Sequence, residues 1–199
     1  NLHLWEFFHI TDKELLIKLS KTCFNQPAAS TAKQIIVVVT RKDLWKKRAN
    51  QNINFFDSKR DKLTKKQYDL TRKYYNKAVP LVYKDFLGIF SYFKYLFANF
   101  LGFFRVMYRQ LRNSDTRVVA HKSAALASQN FMISMAGFGY DTCPMEGFDS
   151  LKLKKLLKLN SKSEINMVIG CGIRLKEGVY GERFRTVSYT HLTLPTTHD

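Results

Sequence analysis

Apolar residues recur along this chain in short strand-like runs separated by stretches of helical periodicity. Residues 5–10 (Trp-Glu-Phe-Phe-His-Ile) make an apolar and aromatic strand candidate. Thr11 then reads as a helix N-cap with Glu14 three residues on, a capping box. The helix it opens runs to about Cys23 and lines up Leu15, Leu16 and Leu19 on one face. Residues 35–40 are β-branched throughout, which predicts a strand buried on both faces. Residues 165–173 form the last clear strand. The order of these segments predicts an α+β fold with a mixed sheet flanked by helices.

Between the second strand and the last, the pattern is helical. Residues 43–76 are polar and basic with few core positions, and Pro80 interrupts them. Residues 82–112 then read as one amphipathic helix. At 100° per residue, Lys84, Ser91, Lys94, Asn99, Arg105, Arg109 and Arg112 fall within an arc of about 140°. Phe86, Phe90, Phe93, Phe97, Phe100 and Phe104 lie opposite. An apolar face this continuous marks a contact surface, so the helix is expected to cover a cavity or a partner, with its basic stripe outward. The whole of about 43–112 forms a helical excursion from the core. Residues 117–138 are rich in Ala and Ser, which lets neighbouring backbones approach closely and predicts a central helix. Asp149 caps a further helix through Leu159, with Leu151, Leu156 and Leu157 on its buried side.

Composition changes this picture in one respect. The 199 residues carry a formal net charge of +17, which favours anionic partners: phosphates, nucleic acid or an acidic membrane surface. The equally open alternative is a solvated basic surface. Cys23, Cys143 and Cys171 form no CxxC pair and no zinc spacing, which suits buried thiols in a reducing compartment. His9, His121, His191 and His198 have no evident metal partners, and His121 reads as a core or interface histidine on the central helix. There is no Ser-His-Asp order, P-loop or GxGxxG, and the few carboxylates are scattered.

Two segments could carry chemistry. In Pro144-Met145-Glu146-Gly147, a rigid proline followed by a glycine lets the backbone lie close to a flat ligand. The plainer reading is a turn between two helices, closed by the Asp149 cap. Arg183 and Arg185 alternate about Phe184, so on an extended chain both guanidinium groups point to one side and can fork onto one phosphate.

Taken with Asn1-Leu2-His3-Leu4-Trp5, these segments resemble the FMN-dependent nitroreductase family. Asn1 and Trp5 match the family's Asn-x-Gln-Pro-Trp element, while His3 and Leu4 depart from its Gln and Pro. The resemblance covers about residues 1–185, and the run Gly139 to Asp149 is its specific part. It implies a nitroreductase-like domain over 1–186, N-terminally incomplete and lacking the family's Arg-rich opening segment, followed by a non-native or disordered tail at 187–199. It implies an FMN site built from Asn1, His3, Pro144, Met145, Glu146, Gly147, Arg183 and Arg185, with no metal. No side chain is assigned a catalytic role, because the flavin carries the chemistry. It further implies hydride transfer from NAD(P)H through FMN to nitroaromatic or quinone-like acceptors, in a cytoplasmic homodimer with flavin at the interface.

Two other readings stay open. One is a non-enzymatic basic protein of a membrane surface or of nucleic acid; the other is a fragment of the flavin family that no longer binds FMN. Nucleic-acid binding would interleave aromatic and basic residues on one surface, whereas residues 82–112 segregate them. Segregation suits a helix lying at a membrane interface or packed on a core. Spanning is disfavoured, since Lys94 and Arg105 would each cost roughly 2.5–3.5 kcal/mol near a bilayer centre.

Overall fold

The computed structural model describes residues 2–86, 88–178 and 181. Four strands form one sheet in the order β1-β2-β4-β3: β1 (Trp5–Ile10), β2 (Gln34–Thr40), β3 (Asp141–Met145) and β4 (Glu164–Gly172). Trp5 lies opposite Thr40, Val37 opposite Val168, and Met145 opposite Val168 on its other side. The α+β class expected from the sequence is observed. All three described pairings are antiparallel, so the expected mixed character of the sheet is not seen among the described residues. The segment between β1 and β2 packs on one face of the sheet and returns the chain beside β1 in the opposite direction, so the neighbouring strands are antiparallel.

Strand β2 is buried on both faces, with Val37, Val38 and Val39 fully inaccessible. Helices cover both sides of it. On one side Ile35, Val37, Val39 and Val168 pack on α1 (Lys13–Thr22), α2 (Pro27–Thr31) and α8 (Ser150–Leu156), through Leu16, Leu19, Ala29 and Leu153. On the other side Ile36, Val38, Ile169 and Cys171 meet α7 (Asn113–Gly137) through Ala124, Phe131, Met132 and Met135. The small residues of α7 explain the close approach: Ala120, Ala124 and Ser128 are among its buried positions. This is the central helix expected at 117–138, begun four residues earlier by a reciprocal Arg112–Asp115 cap.

Several boundaries move for identifiable reasons. The N-cap of α1 is Asp12, whose Oδ1 accepts the Leu15 N–H at 2.8 Å; Thr11 lies one residue outside. A carboxylate there adds its charge to the capping bond at the positive end of the helix. Asp149 caps α8 as expected, accepting from Leu151 and Lys152, but that helix stops at Leu156 because Lys158 turns left-handed at φ 51°. Cys23 and Cys171 are buried, whereas Cys143 is exposed on β3, so the expectation of three buried thiols is corrected.

The excursion is a chain of short helices: α3 (Trp45–Asp57), α4 (Lys65–Lys73), α5 (Val79–Tyr83) and α6 (Ile89–Leu101). Thr64 and Gln67 make the capping box of α4. Pro80 does not interrupt the helical path as expected. A π-turn over Tyr74–Ala78 leads directly into α5, widening the ladder where proline has no N–H to give. A second small core of Leu2, Leu4, Ile53, Tyr75, Val79 and Ala120 ties this region to α7.

The single helix expected over 82–112 is two separate pieces. Gly88 caps α6 at φ 81°, and Asp85 Oδ1 accepts the Ser91 N–H at 2.9 Å. Beyond α6, Arg109 Nη2 donates to the Gly102 carbonyl at 2.8 Å and closes the C-terminal turn. The orientation is also the reverse of that expected. The polar side of α6, with buried Ser91 and Ala98, faces the protein, and the phenylalanines face out.

Candidate functional site

The segment 141–149 is an edge strand followed by a tight loop, not only a turn. Its start is set by Gly139, at φ 80° just after α7. Proline is tolerated in β3 because an edge strand has one side with no ladder to complete. Met145 is buried in the core, while Pro144, Glu146 and Gly147 are exposed. The loop is tied to the α1–α2 corner at two points. Gln26 Nε2 donates to the Gly147 carbonyl at 2.6 Å and to the Cys23 carbonyl at 3.1 Å. The Asp149 N–H donates to the Thr22 carbonyl at 2.8 Å. A Cβ at Gly147 would come within 3.1 Å of Gln26 Nε2, so glycine lets this backbone lie flat against its support.

Gln26 and Thr22 carry no signal of their own in the sequence. The Gln26-Pro27 pair does announce a helix start, since proline fits the first helical turn. Its contact 121 residues away has no local trace. The corner itself is sharp, with Phe24 and Asn25 both left-handed at φ 56° and 51°.

His3 and the 144–147 loop lie at the same end of the sheet, on opposite edges. Trp5 pairs with Thr40, Thr40 with Glu164, and β3 runs toward that end as it reaches Met145. Three strand spacings, roughly 14 Å, separate the two edges. His3 is exposed, left-handed at φ 46°, and sets its ring edge-on to Trp5 at 5.9 Å between centroids. Beneath Leu2 and Leu4 is a cavity of about 140 Å³, also lined by Tyr74, Tyr83, Ala120 and Ser123. Burial, helped by Tyr108 and Tyr74, pushes the Tyr83 hydroxyl up to about 12, so it stays a neutral donor at physiological pH. The cavity is smaller than the roughly 300–1,000 Å³ of small-molecule sites.

Between α7 and the β4 end of the sheet lies a polar cluster. Arg117 Nε donates to Glu164 Oε2, His121 Nε2 lies 3.2 Å from the same oxygen, and Asn166 Nδ2 lies 3.1 Å from His121 Nδ1. His121 is therefore a structural histidine at the helix–sheet contact. Burial works against the Glu164 carboxylate, but the hydrogen bonds from Arg117 and His121 outweigh it and hold the carboxyl below its ordinary value. Its contribution to stability is then complete above the unfolded-state value and is lost as pH falls through the folded one. The side chain is 36% exposed, so screening limits the effect to about 1 kcal/mol or less. Urea midpoints measured from pH 6 down to pH 3 should fall less steeply for Glu164→Gln than for the parent chain. Parallel curves would assign the acid sensitivity elsewhere.

Among the described residues no group of three or more His, Cys, Asp and Glu is placed to hold a metal ion. Asn1, Arg183 and Arg185 lie outside the described residues, as does the tail 187–199.

Comparison with known proteins completes the picture. The model of the nitroreductase family matches residues 1–173. Protein DrgA of Synechocystis sp. is 27% identical over 177 residues, covering 89% of this chain and 67% of DrgA. The ydfN protein of Bacillus subtilis superposes with a TM-score of 0.65 at 22% identity, over 95% of this chain and 79% of its own. A protein from Exiguobacterium sibiricum, solved in complex with FMN, gives a TM-score of 0.58 at 18% identity, over 92% of this chain and 74% of that one. At these identities the structural likenesses establish the fold.

Proposed function

Because the chain belongs to the nitroreductase family, we propose that it is an FMN-dependent oxidoreductase that takes hydride from NAD(P)H and delivers electrons to nitroaromatic or quinone-like acceptors. Family membership supports flavin-dependent redox chemistry in general. The observation that carries it to this chain is the loop 144–147: an exposed, glycine-bearing backbone held from behind by Gln26 at 2.6 Å. The residues fit a flat cofactor. Gly147 has no side chain to hold the loop off Gln26, and Met145 is turned into the core, leaving only its backbone for contact. When bound, FMN would supply the hydride-accepting and electron-donating chemistry.

The chain's own residues would do the rest. The Glu146–Gly147 backbone would border the ring and stabilise charge developing there. His3 would stand in for the family's glutamine at the polar edge, beside Asn1. Arg183 and Arg185 would grip the phosphate. The cavity under Leu2 and Leu4 is too small for a flavin, so the cofactor would lie on the open face at this end of the sheet. A second copy would close that face. The outward side of α7, which exposes Val118, Leu126 and Ile133, is suited to it, and a homodimer follows from this reading. The three cysteines are free, which supports a cytoplasmic setting. Among the described residues no helix is long and apolar enough to cross a membrane.

Loading the chain with FMN, passing it through gel filtration and recording a visible spectrum tests this reading. Retained flavin absorbance that is bleached by NADH or NADPH and restored by a quinone is the expected result. A colourless protein would instead favour a family member that no longer binds flavin.

A further inference from the structure

Helix α6 presents its apolar side to solvent. Its polar side is fixed against the protein by Lys94, whose Nζ donates to the carbonyls of Leu81, Val82 and Lys84 at 2.8, 3.3 and 2.8 Å. These are the carbonyls at the end of α5, where a cation is favoured. Lys94 thus acts as a pin that prevents α6 from rolling its phenylalanines inward. Phe90, Phe93, Phe97 and Phe100 lie within an arc of about 80° at 100° per residue. With Phe103 and Phe104 in the following turn, each is 61–81% exposed. A contiguous patch of six exposed phenylalanines exceeds what chains normally leave in water without a partner.

The charge around the patch indicates its occupant. Residues 86–114 contain no Asp or Glu. Lys84 stands at one end of the patch and Arg105 and Arg109 at the other, all exposed, while Arg112 beyond them is paired with Asp115. The cations therefore flank the apolar face rather than interrupt it. A bilayer with anionic headgroups offers acyl chains to such a face and negative charge to its margins. A second copy of this chain offers the same acid-free face with the same cations at its margins, so pairing this face with itself would bring Lys84, Arg105 and Arg109 of the two copies together. At 13 residues the helix is about 20 Å long, short of the roughly 30 Å hydrocarbon core, so it would lie in the interface rather than cross it.

We propose that the aromatic face of α6 and the following turn dock the protein on anionic lipid bilayers, with the flanking Lys84, Arg105 and Arg109 at headgroup level. This surface is independent of the flavin reading.

Flotation of the full chain with phosphatidylserine-containing vesicles, against pure phosphatidylcholine vesicles, tests it. Binding to the anionic vesicles at low salt, falling as salt rises, is expected. The double variant Phe93→Ser/Phe97→Ser should weaken it by about tenfold or more, with circular dichroism confirming the fold. The exposed-charge variant Lys84→Glu/Arg105→Glu leaves the apolar core untouched and should also reduce binding. Absence of flotation with anionic vesicles at low salt would overturn the proposal, as would flotation insensitive to both variants. A Phe93→Ser/Phe97→Ser protein that sediments as a monomer where the parent is a dimer would assign the face to a second copy instead.

Discussion

Alanine at both Arg183 and Arg185 is expected to weaken FMN binding by about tenfold to a hundredfold for each guanidinium–phosphate bond removed. A doubly charged phosphate accepts strong bonds from a guanidinium fork, and alternate residues of an extended chain aim two forks at one target. Fluorescence titration of FMN with the parent and double-variant proteins reads the effect directly. A difference that shrinks as salt rises would mark the contribution as electrostatic. Equal affinity in the two proteins would remove the pair from the site, while leaving the loop at 144–147 and family membership intact.

Replacing Gly170 with valine should unfold the protein more readily, by about 3 kcal/mol, near the upper end for overpacking a close-packed site. A Cβ at this position in β4 would lie 2.8 Å from the Ala28 carbonyl oxygen and 3.5 Å from Ala32 Cβ. The first of these is backbone, which cannot swing aside as a long side chain can. Relief would require α2 to lift from the sheet, and α2 follows directly from Gln26, the residue that supports the Gly147 loop. For a chain of this size such a destabilisation corresponds to a fall of about 6–12 °C in Tm. An unchanged melting temperature would show that α2 is free to retreat.

How far the sequence reveals this architecture varies by element. Strand β2 is legible because an unbroken run of β-branched residues from Ile35 to Thr40 admits few other conformations. The helix α7 is legible through its Ala and Ser positions, and the Asp149 cap through the apolar run behind it. Strand β3 is not, because Pro144 reads as a strand breaker and the partner that makes it an edge strand, β4, is distant in the chain. The division of 82–112 is hidden for another reason. Apolar periodicity continues through Gly88 and Gly102, and only Asp85, Arg109 and Lys94, each bonding backbone groups, decide where the helix stops and which side faces out. The candidate site is partly legible. Its exposed residues follow from the resemblance to a family, whereas Gln26, which orients them, emerges only when two corners of the fold meet.

Pro144 has one more consequence. An open strand edge is a template on which another chain can add a strand. The sheet has two such edges among the described residues, β1 and β3. On β3 the proline offers no N–H to an incoming strand, and Asp141 holds the Arg174 N–H at 3.0 Å across its start. Growth of the sheet from this side is therefore obstructed by the same residue that shapes the loop. Copies of this chain that meet here must do so by laying helices and loops against each other rather than by extending one sheet into the next.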